Sequence, residues 1–243
     1  MATPSPEITL YDLACTKGVC FSPAGWRIRL ILNYKNIPYS TAFLEFPDIE
    51  PTLKALDIPP TTTAKHAYTV PAIHHIPSNT YAMDSAAIAA FLEATYPDPA
   101  LPLTSALGAE IEKKARAVVG PAFYTSLVPR ELHILSPRSQ EYFRRTRESA
   151  LGHPLEDLIA GDKEEAVWKA IDDDARAAGA LMRTNKAQGP FVLGAQPSFT
   201  DFFIAGALQN ARVVEERVWE RCVAYEGYRE VYEACERWME RKD

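Results

Sequence analysis

The short segment Pro97-Asp98-Pro99 divides this chain of 243 residues into two stretches of different texture, and no other feature narrows the possible folds as much. Before it, strand and helix signals alternate. The apolar run Ile8-Thr9-Leu10-Tyr11-Asp12-Leu13 predicts a strand. Ser22 and Pro23 then open a helix that runs to about Tyr34, with a good N-cap and a good first helical residue. Residues 40–46 predict a second strand and residues 51–56 a short helix. Strands over 68–76 and 80–83 form a hairpin around Pro77-Ser78-Asn79, and a helix over 84–96 is stopped by Pro97. This order, β-α-β-α-β-β-α, describes a small mixed sheet covered by helices. Beyond a linker that ends near Thr104, the pattern is helical throughout: 106–127, 137–150, 163–184, 199–213 and 228–241, with Gly120-Pro121 expected to break or kink the first of these. The expected fold is therefore an α/β domain over residues 1–98 followed by an all-α domain over 105–243.

Composition excludes more than it assigns. Apolar residues make up 47% and charged residues 24%, ordinary values for a globular protein. A net charge of -6 argues against a general nucleic-acid binder. No apolar run approaches the ~20 residues of a membrane span, and the polar start of the chain lacks a signal-peptide core. Cys15, Cys20, Cys222 and Cys235 do not form a disulfide framework for a chain this long, which favours a reduced, cytoplasmic setting. No metal-ligand spacing, Walker motif or nucleophile elbow occurs.

Four pieces of local punctuation have a chemical reading beside a folding one. A helix that begins at Ser22-Pro23 offers free N–H groups, a positive dipole end and a hydroxyl, and Cys20 lies close by, where a thiolate would be stabilised. Taken alone, Ser-Pro at a helix start is usually only a cap, and a single cysteine such as Cys20 is usually structural. Val70-Pro71 places a proline in an apolar strand: either an ordinary edge proline in trans, or a cis proline that turns the Val70 backbone outward to pair with an extended ligand. Asp84-Ser85 opens a helix, as a cap or as a site for a carboxylate and an amino group together. Ser198-Phe199-Thr200-Asp201 is a capping box with a structural role. Phe123, Tyr124, Leu127 and Tyr142 either fill core or line a pocket for a hydrophobic ligand, and Arg144, Arg145 and Arg147 form a solvated basic face that can also attract an acidic substrate.

Taken in order along nearly the whole chain, these signals resemble a cytosolic glutathione transferase. A closer likeness is to the bacterial lignin β-aryl etherases and the etherase-type fungal FuA class. It is carried by Ile8 to Leu13, Cys20, Ser22-Pro23, Trp26-Arg27, Leu32-Asn33-Tyr34-Lys35 and Pro47-Asp48-Ile49-Glu50. Further along, Val119-Gly120-Pro121, Leu151-Gly152, Leu155-Glu156-Asp157 and Ala160-Gly161 keep the pattern.

The resemblance implies a thioredoxin-like first domain that holds glutathione and a helical second domain that holds the hydrophobic co-substrate. Ser22 then matches the serine that hydrogen-bonds the glutathione sulfur, with Cys20 a lesser candidate. Val70 matches the backbone clamp on the cysteinyl unit, Pro71 the cis proline, Asp84 and Ser85 the γ-glutamyl pair, and Asp201 the folding aspartate. The loop over 56–67, with Pro59-Pro60-Thr61-Thr62-Thr63, departs from the family pattern. The implied activity is attack of glutathione thiolate on an electrophilic carbon, with no metal and in a homodimer. Glutathione-dependent addition or isomerisation in fungal secondary metabolism, storage of aromatic ligands, and a scaffold without glutathione are the other readings.

Overall fold

The computed structural model describes residues 5–62 and 66–242. The polar start of the chain and the Thr63 end of the proline-threonine stretch lie partly outside them. The first domain is a four-stranded sheet in the order β2-β1-β3-β4. Strand β1 (Ile8–Leu13) runs parallel to β2 (Tyr39–Leu44) and antiparallel to β3 (Ala72–His75), which pairs antiparallel with β4 (Thr80–Met83). Side chains alternate along β1: Ile8 and Leu10 are fully buried against helices α1 (Pro23–Tyr34) and α3 (Ser85–Thr95), while Tyr11 faces the short helix α2 (Ile49–Ala55). This mixed sheet between helical layers is the thioredoxin-like arrangement.

The second domain is all-helical: α4 (Ala106–Glu131), α5 (Pro137–Leu151), α6 (Lys163–Met182), α7 (Phe199–Val214), α8 (Glu216–Val223) and α9 (Glu226–Cys235). Three expectations need correction. Helix α4 is not broken at Gly120-Pro121 but runs for 26 residues with Pro121 and Pro129 inside it. A proline removes one N–H and crowds one turn, and burial of Ile111, Ala115, Val119 and Ala122 along one face holds the helix through that loss. The strand expected over 68–76 begins only at Ala72. The last helix ends at Cys235, not 241, because the chain turns so that Trp238 packs against Tyr34 and Phe202, ring centroids 5.1 and 5.7 Å away. No helix among the described residues is long and apolar enough to cross a membrane.

The two domains meet along α1 and α7. A Cβ on Gly206 would lie 2.9 Å from the Pro23 carbonyl oxygen, so a glycine is required for the helices to approach this closely. The loop between β1 and α1 is stitched to the helical domain: Thr16 N–H donates to Ile134 O (2.8 Å), Cys20 N–H to Lys242 O (2.8 Å), and Asn210 Nδ2 to Phe21 O (2.8 Å).

Candidate functional site

Strand register brings the punctuation residues to one end of the sheet. Because Tyr11 pairs with Ala72, Val70 lies level with Leu13, where β1 gives way to the loop leading to Ser22. Because Ala72 pairs with Met83, Asp84 leaves β4 at that same end. The three segments expected to hold glutathione thus converge by topology, although they are 14 to 62 residues apart in the chain.

At α1, Ser22 is the N-cap: its Oγ accepts from Gly25 N–H at 3.1 Å. The residue is only 4% exposed, and its hydroxyl proton has no acceptor among the described residues, so one donor remains for a ligand. Gly25 lets the helix start sit on Asp12, since a Cβ there would lie 2.2 Å from Asp12 Oδ1. Asp12 is itself fully buried and paired with Arg29 at 3.4 Å. Cys20 is also fully buried. Burial and the neighbouring Asp12 push its thiol well above the ordinary range, opposite to what a reactive thiolate needs. The structure therefore sets Cys20 in the core, while Ser22 keeps its hydroxyl proton unspent among the described residues.

Val70-Pro71 is a cis peptide bond. Proline offers no N–H, and Val70 takes no part in either ladder, so its N–H and C=O have no backbone partner among the described residues at the sheet end. Asp84 adopts φ +79°, and its Oδ1 caps α3 by accepting from Ala86 N–H (2.9 Å) and Ala87 N–H (3.4 Å). Asp84 is exposed, and its Oδ2 takes no donor from the described residues. The cap is thus Asp84 rather than Ser85. The Ser85 Oγ instead accepts from Arg27 Nη1 at 3.4 Å. Arg27 is 9% exposed, lies over the Phe199 and Phe203 rings and has an unpartnered Nε. Burial lowers its guanidinium to about 10. The sequence assigned Arg27 no role in the site, though an arginine amid Trp26, Ile28, Leu30 and Ile31 on one helix was the available signal.

Beside Val70 lies a cleft of about 690 Å³ between the domains, walled by Leu13, Phe46, Tyr68, Val70, Tyr142 and Arg147 among others. Ser22, Asp84 and Ser85 are not among its walls. Helix α5 forms the far side: the Tyr142 ring stacks on Phe46 (6.4 Å, 12° between planes), and Arg138 makes a two-pronged ion pair with Asp48. A neighbouring groove of about 600 Å³ shares Tyr142 and Arg147 and adds Tyr124, which is 44% exposed. The other two expected pocket residues are elsewhere. Leu127 is core at 3% exposure, and Phe123 lines a separate apolar crevice of about 180 Å³ and packs on Trp168. Helix periodicity explains the split: Phe123 and Leu127 share one face of α4, and Tyr124 is turned about 100° from Phe123. Phe46, the aromatic floor of the cleft, carried no sequence signal.

Asp201 shows the same capping chemistry saturated. It is fully buried; Oδ2 accepts from Ser198 N–H (2.8 Å) and Oγ (2.6 Å), and Oδ1 from Val192 N–H (2.8 Å).

Comparison with known proteins identifies the family to which this fold belongs. The family model for the glutathione S-transferase N-terminal domain matches residues 21–95, and that for the C-terminal domain matches residues 106–238. A glutathione S-transferase-like protein of Aspergillus flavus, ustS, is 33% identical over 230 residues, covering 88% of this chain and 83% of its own. The crystal structure of glutathione transferase GSTFuA3 from Phanerochaete chrysosporium superposes with a TM-score of 0.85 at 30% identity, covering 99% of this chain and 100% of that one. A glutathione S-transferase of Ceriporiopsis subvermispora, crystallised in complex with glutathione, gives a TM-score of 0.82 at 30% identity over 97% of this chain and 99% of that one. The chain belongs to the glutathione S-transferase family.

Proposed function

We propose that this transferase joins glutathione to an electrophilic carbon of a hydrophobic aromatic compound by etherase-like substitution, as a cytoplasmic homodimer. The observation that carries the reading is the convergence of Ser22, Val70 and Asp84 at one end of the sheet, beside an interdomain cleft floored by Phe46 and Tyr142. Val70 supplies backbone N–H and C=O to the cysteinyl unit of glutathione. Asp84 Oδ2 takes its γ-glutamyl ammonium, and Ser85 its carboxylate. The Ser22 hydroxyl donates to the sulfur at the positive end of α1, and both favour thiolate over thiol. Each pKa unit of that preference is about 1.4 kcal/mol. The thiolate then attacks a carbon that carries an aryloxy group next to a ketone: the C–S bond forms, the C–O bond breaks, and a phenolate leaves.

Thiolate absorbance of enzyme-bound glutathione, followed against pH, tests the assignment. Ser22→Ala should raise the bound thiol pKa by about one unit, the worth of one charge-assisted donor. An unmoved value removes Ser22 from the role. Turnover of an aryl ether ketone, set against turnover of an enone, separates substitution from addition or isomerisation.

A further inference from the structure

The guanidinium groups of the helical domain are mostly spent on ion pairs. Arg130 pairs with Glu164 and Glu215, Arg144 with Glu148 and Glu156, Arg183 with Glu226 and Glu230, and Arg221 with Glu165. Arg147 has no carboxylate within 4 Å among the described residues. Its guanidinium lies 4.7 Å from the Phe143 ring centroid and 5.8 Å from that of Phe46, and makes one hydrogen bond, to Thr146 Oγ1 at 3.3 Å. The two rings hold it in place without cancelling its charge.

This residue walls both the interdomain cleft and the adjoining groove, and Tyr142 is shared with it. Lys54, the other lysine or arginine among the described residues that line the cleft, is paired with Glu50 at 2.5 Å. In the groove Arg145 is exposed, stands 5.6 Å from the Tyr142 ring centroid and likewise has no ion-pair partner among the described residues. Glu131 feels the Arg147 charge, but burial pushes its carboxyl up to about 7, so near neutral pH it is only partly ionised. The three-arginine cluster of the sequence therefore splits. Arg144 is consumed by the fold, and Arg147 faces the space where an aromatic ring would lie against Phe46 and Tyr142.

We propose that Arg147 makes the cleft select aromatic co-substrates that carry an oxyanion on the ring, a carboxylate or a phenolate, over their neutral counterparts. A planar guanidinium still holding free N–H donors matches such a delocalised oxyanion, and a neutral ester or ether would leave those donors unmatched. The inference rests on the reading above that the electrophile meets glutathione in this cleft.

Two measurements on the full chain test it. The first is kcat/KM with glutathione for 4-chloro-3,5-dinitrobenzoate and for its methyl ester, each divided by its uncatalysed rate. In this reaction the sulfur bonds to the ring carbon, chloride leaves and the thiol proton passes to solvent. The wild-type chain should favour the acid about tenfold, Arg147→Gln should lose most of that ratio, and Arg147→Lys should keep part of it. Arg237→Gln, which removes an arginine stacked on Trp238 away from the cleft, should leave the ratio unmoved. The second is calorimetric binding without glutathione, of 4-nitrophenolate against 4-nitroanisole and of 3,5-dinitrobenzoate against its methyl ester. A preference for either anion that Arg147→Gln abolishes supports the proposal even where no turnover occurs. Equal binding of anion and neutral partner in both pairs, or a preference that survives Arg147→Gln, overturns it. Glutathione binding, measured separately, reports on the underlying reading: its absence beside an intact anion preference would sink the transferase site and leave the anion site standing.

Discussion

Asp84 and Asp201 do the same local job in the two domains, each capping a helix with a carboxylate, yet one is a candidate ligand residue and the other is purely a folding device. The difference lies in saturation. Asp201 is fully buried, and its two oxygens take three donors from the protein. Asp84 is exposed, spends only Oδ1 on its helix, and stands at φ +79°, a conformation a non-glycine residue adopts at a cost. A cap becomes available to a ligand when the fold leaves it half-used. Glu131 is a third case, half-buried with no hydrogen bond or ion pair among the described residues.

Removing the saturated cap should have the largest effect. Asp201→Ala strands two donors on Ser198 and one on Val192 and should cost on the order of 3–5 kcal/mol in urea unfolding. A loss under about 1 kcal/mol would mean that the cap is no more structural than Asp84. Glu131 comes next. Burial pushes its carboxyl up to about 7 in the fold, against about 4.3 in an unfolded chain, so the folded state binds the extra proton. Stability should be greatest below about pH 4.3 as far as this group goes, and should fall as pH rises through 7. Glu131→Gln should remove that slope and gain roughly 2 kcal/mol at pH 8; parallel pH profiles for the two proteins would show a carboxyl that is well solvated. Asp84→Ala should unfold only about 1 kcal/mol more easily while weakening glutathione about tenfold by calorimetry. Loss of stability with unchanged affinity would put Asp84 in the same class as Asp201. The smallest expected effect is on thiol chemistry. Of four free cysteines only Cys15 is not buried, so a thiol reagent should label one residue in the native chain. Fast modification of Cys20 would reopen its catalytic candidacy.

What could be read from the chain beforehand follows the same division. Ser22-Pro23, Val70-Pro71, Asp84-Ser85 and Ser198 to Asp201 announce themselves, because caps and prolines act on backbone within four residues. The mixed sheet and the helical second half were legible for the same reason, through local periodicity. The opposite wall of the cleft was not. Arg147 differs from Arg144 only through partners: Glu148 and Glu156 claim Arg144, while Phe46, a hundred residues earlier in the chain, lies under Arg147. Helix α8 escaped notice because its buried pair, Val218 and Cys222, is too short a pattern to stand out. Gly120-Pro121 misled because a local breaker was weighed without the core face that spans it.

The stitching of the loop before Ser22 to Ile134, Lys242 and Asn210 bears on how such proteins can be re-engineered. Exchanging the helical half for that of a relative, in order to change which electrophile is accepted, would replace all three anchors of the loop that aims the serine. A chimera built at the Pro97 linker would alter the nucleophile's setting along with the pocket. Grafting α5 alone, the helix that carries Tyr142 and Arg147, leaves all three anchors in place.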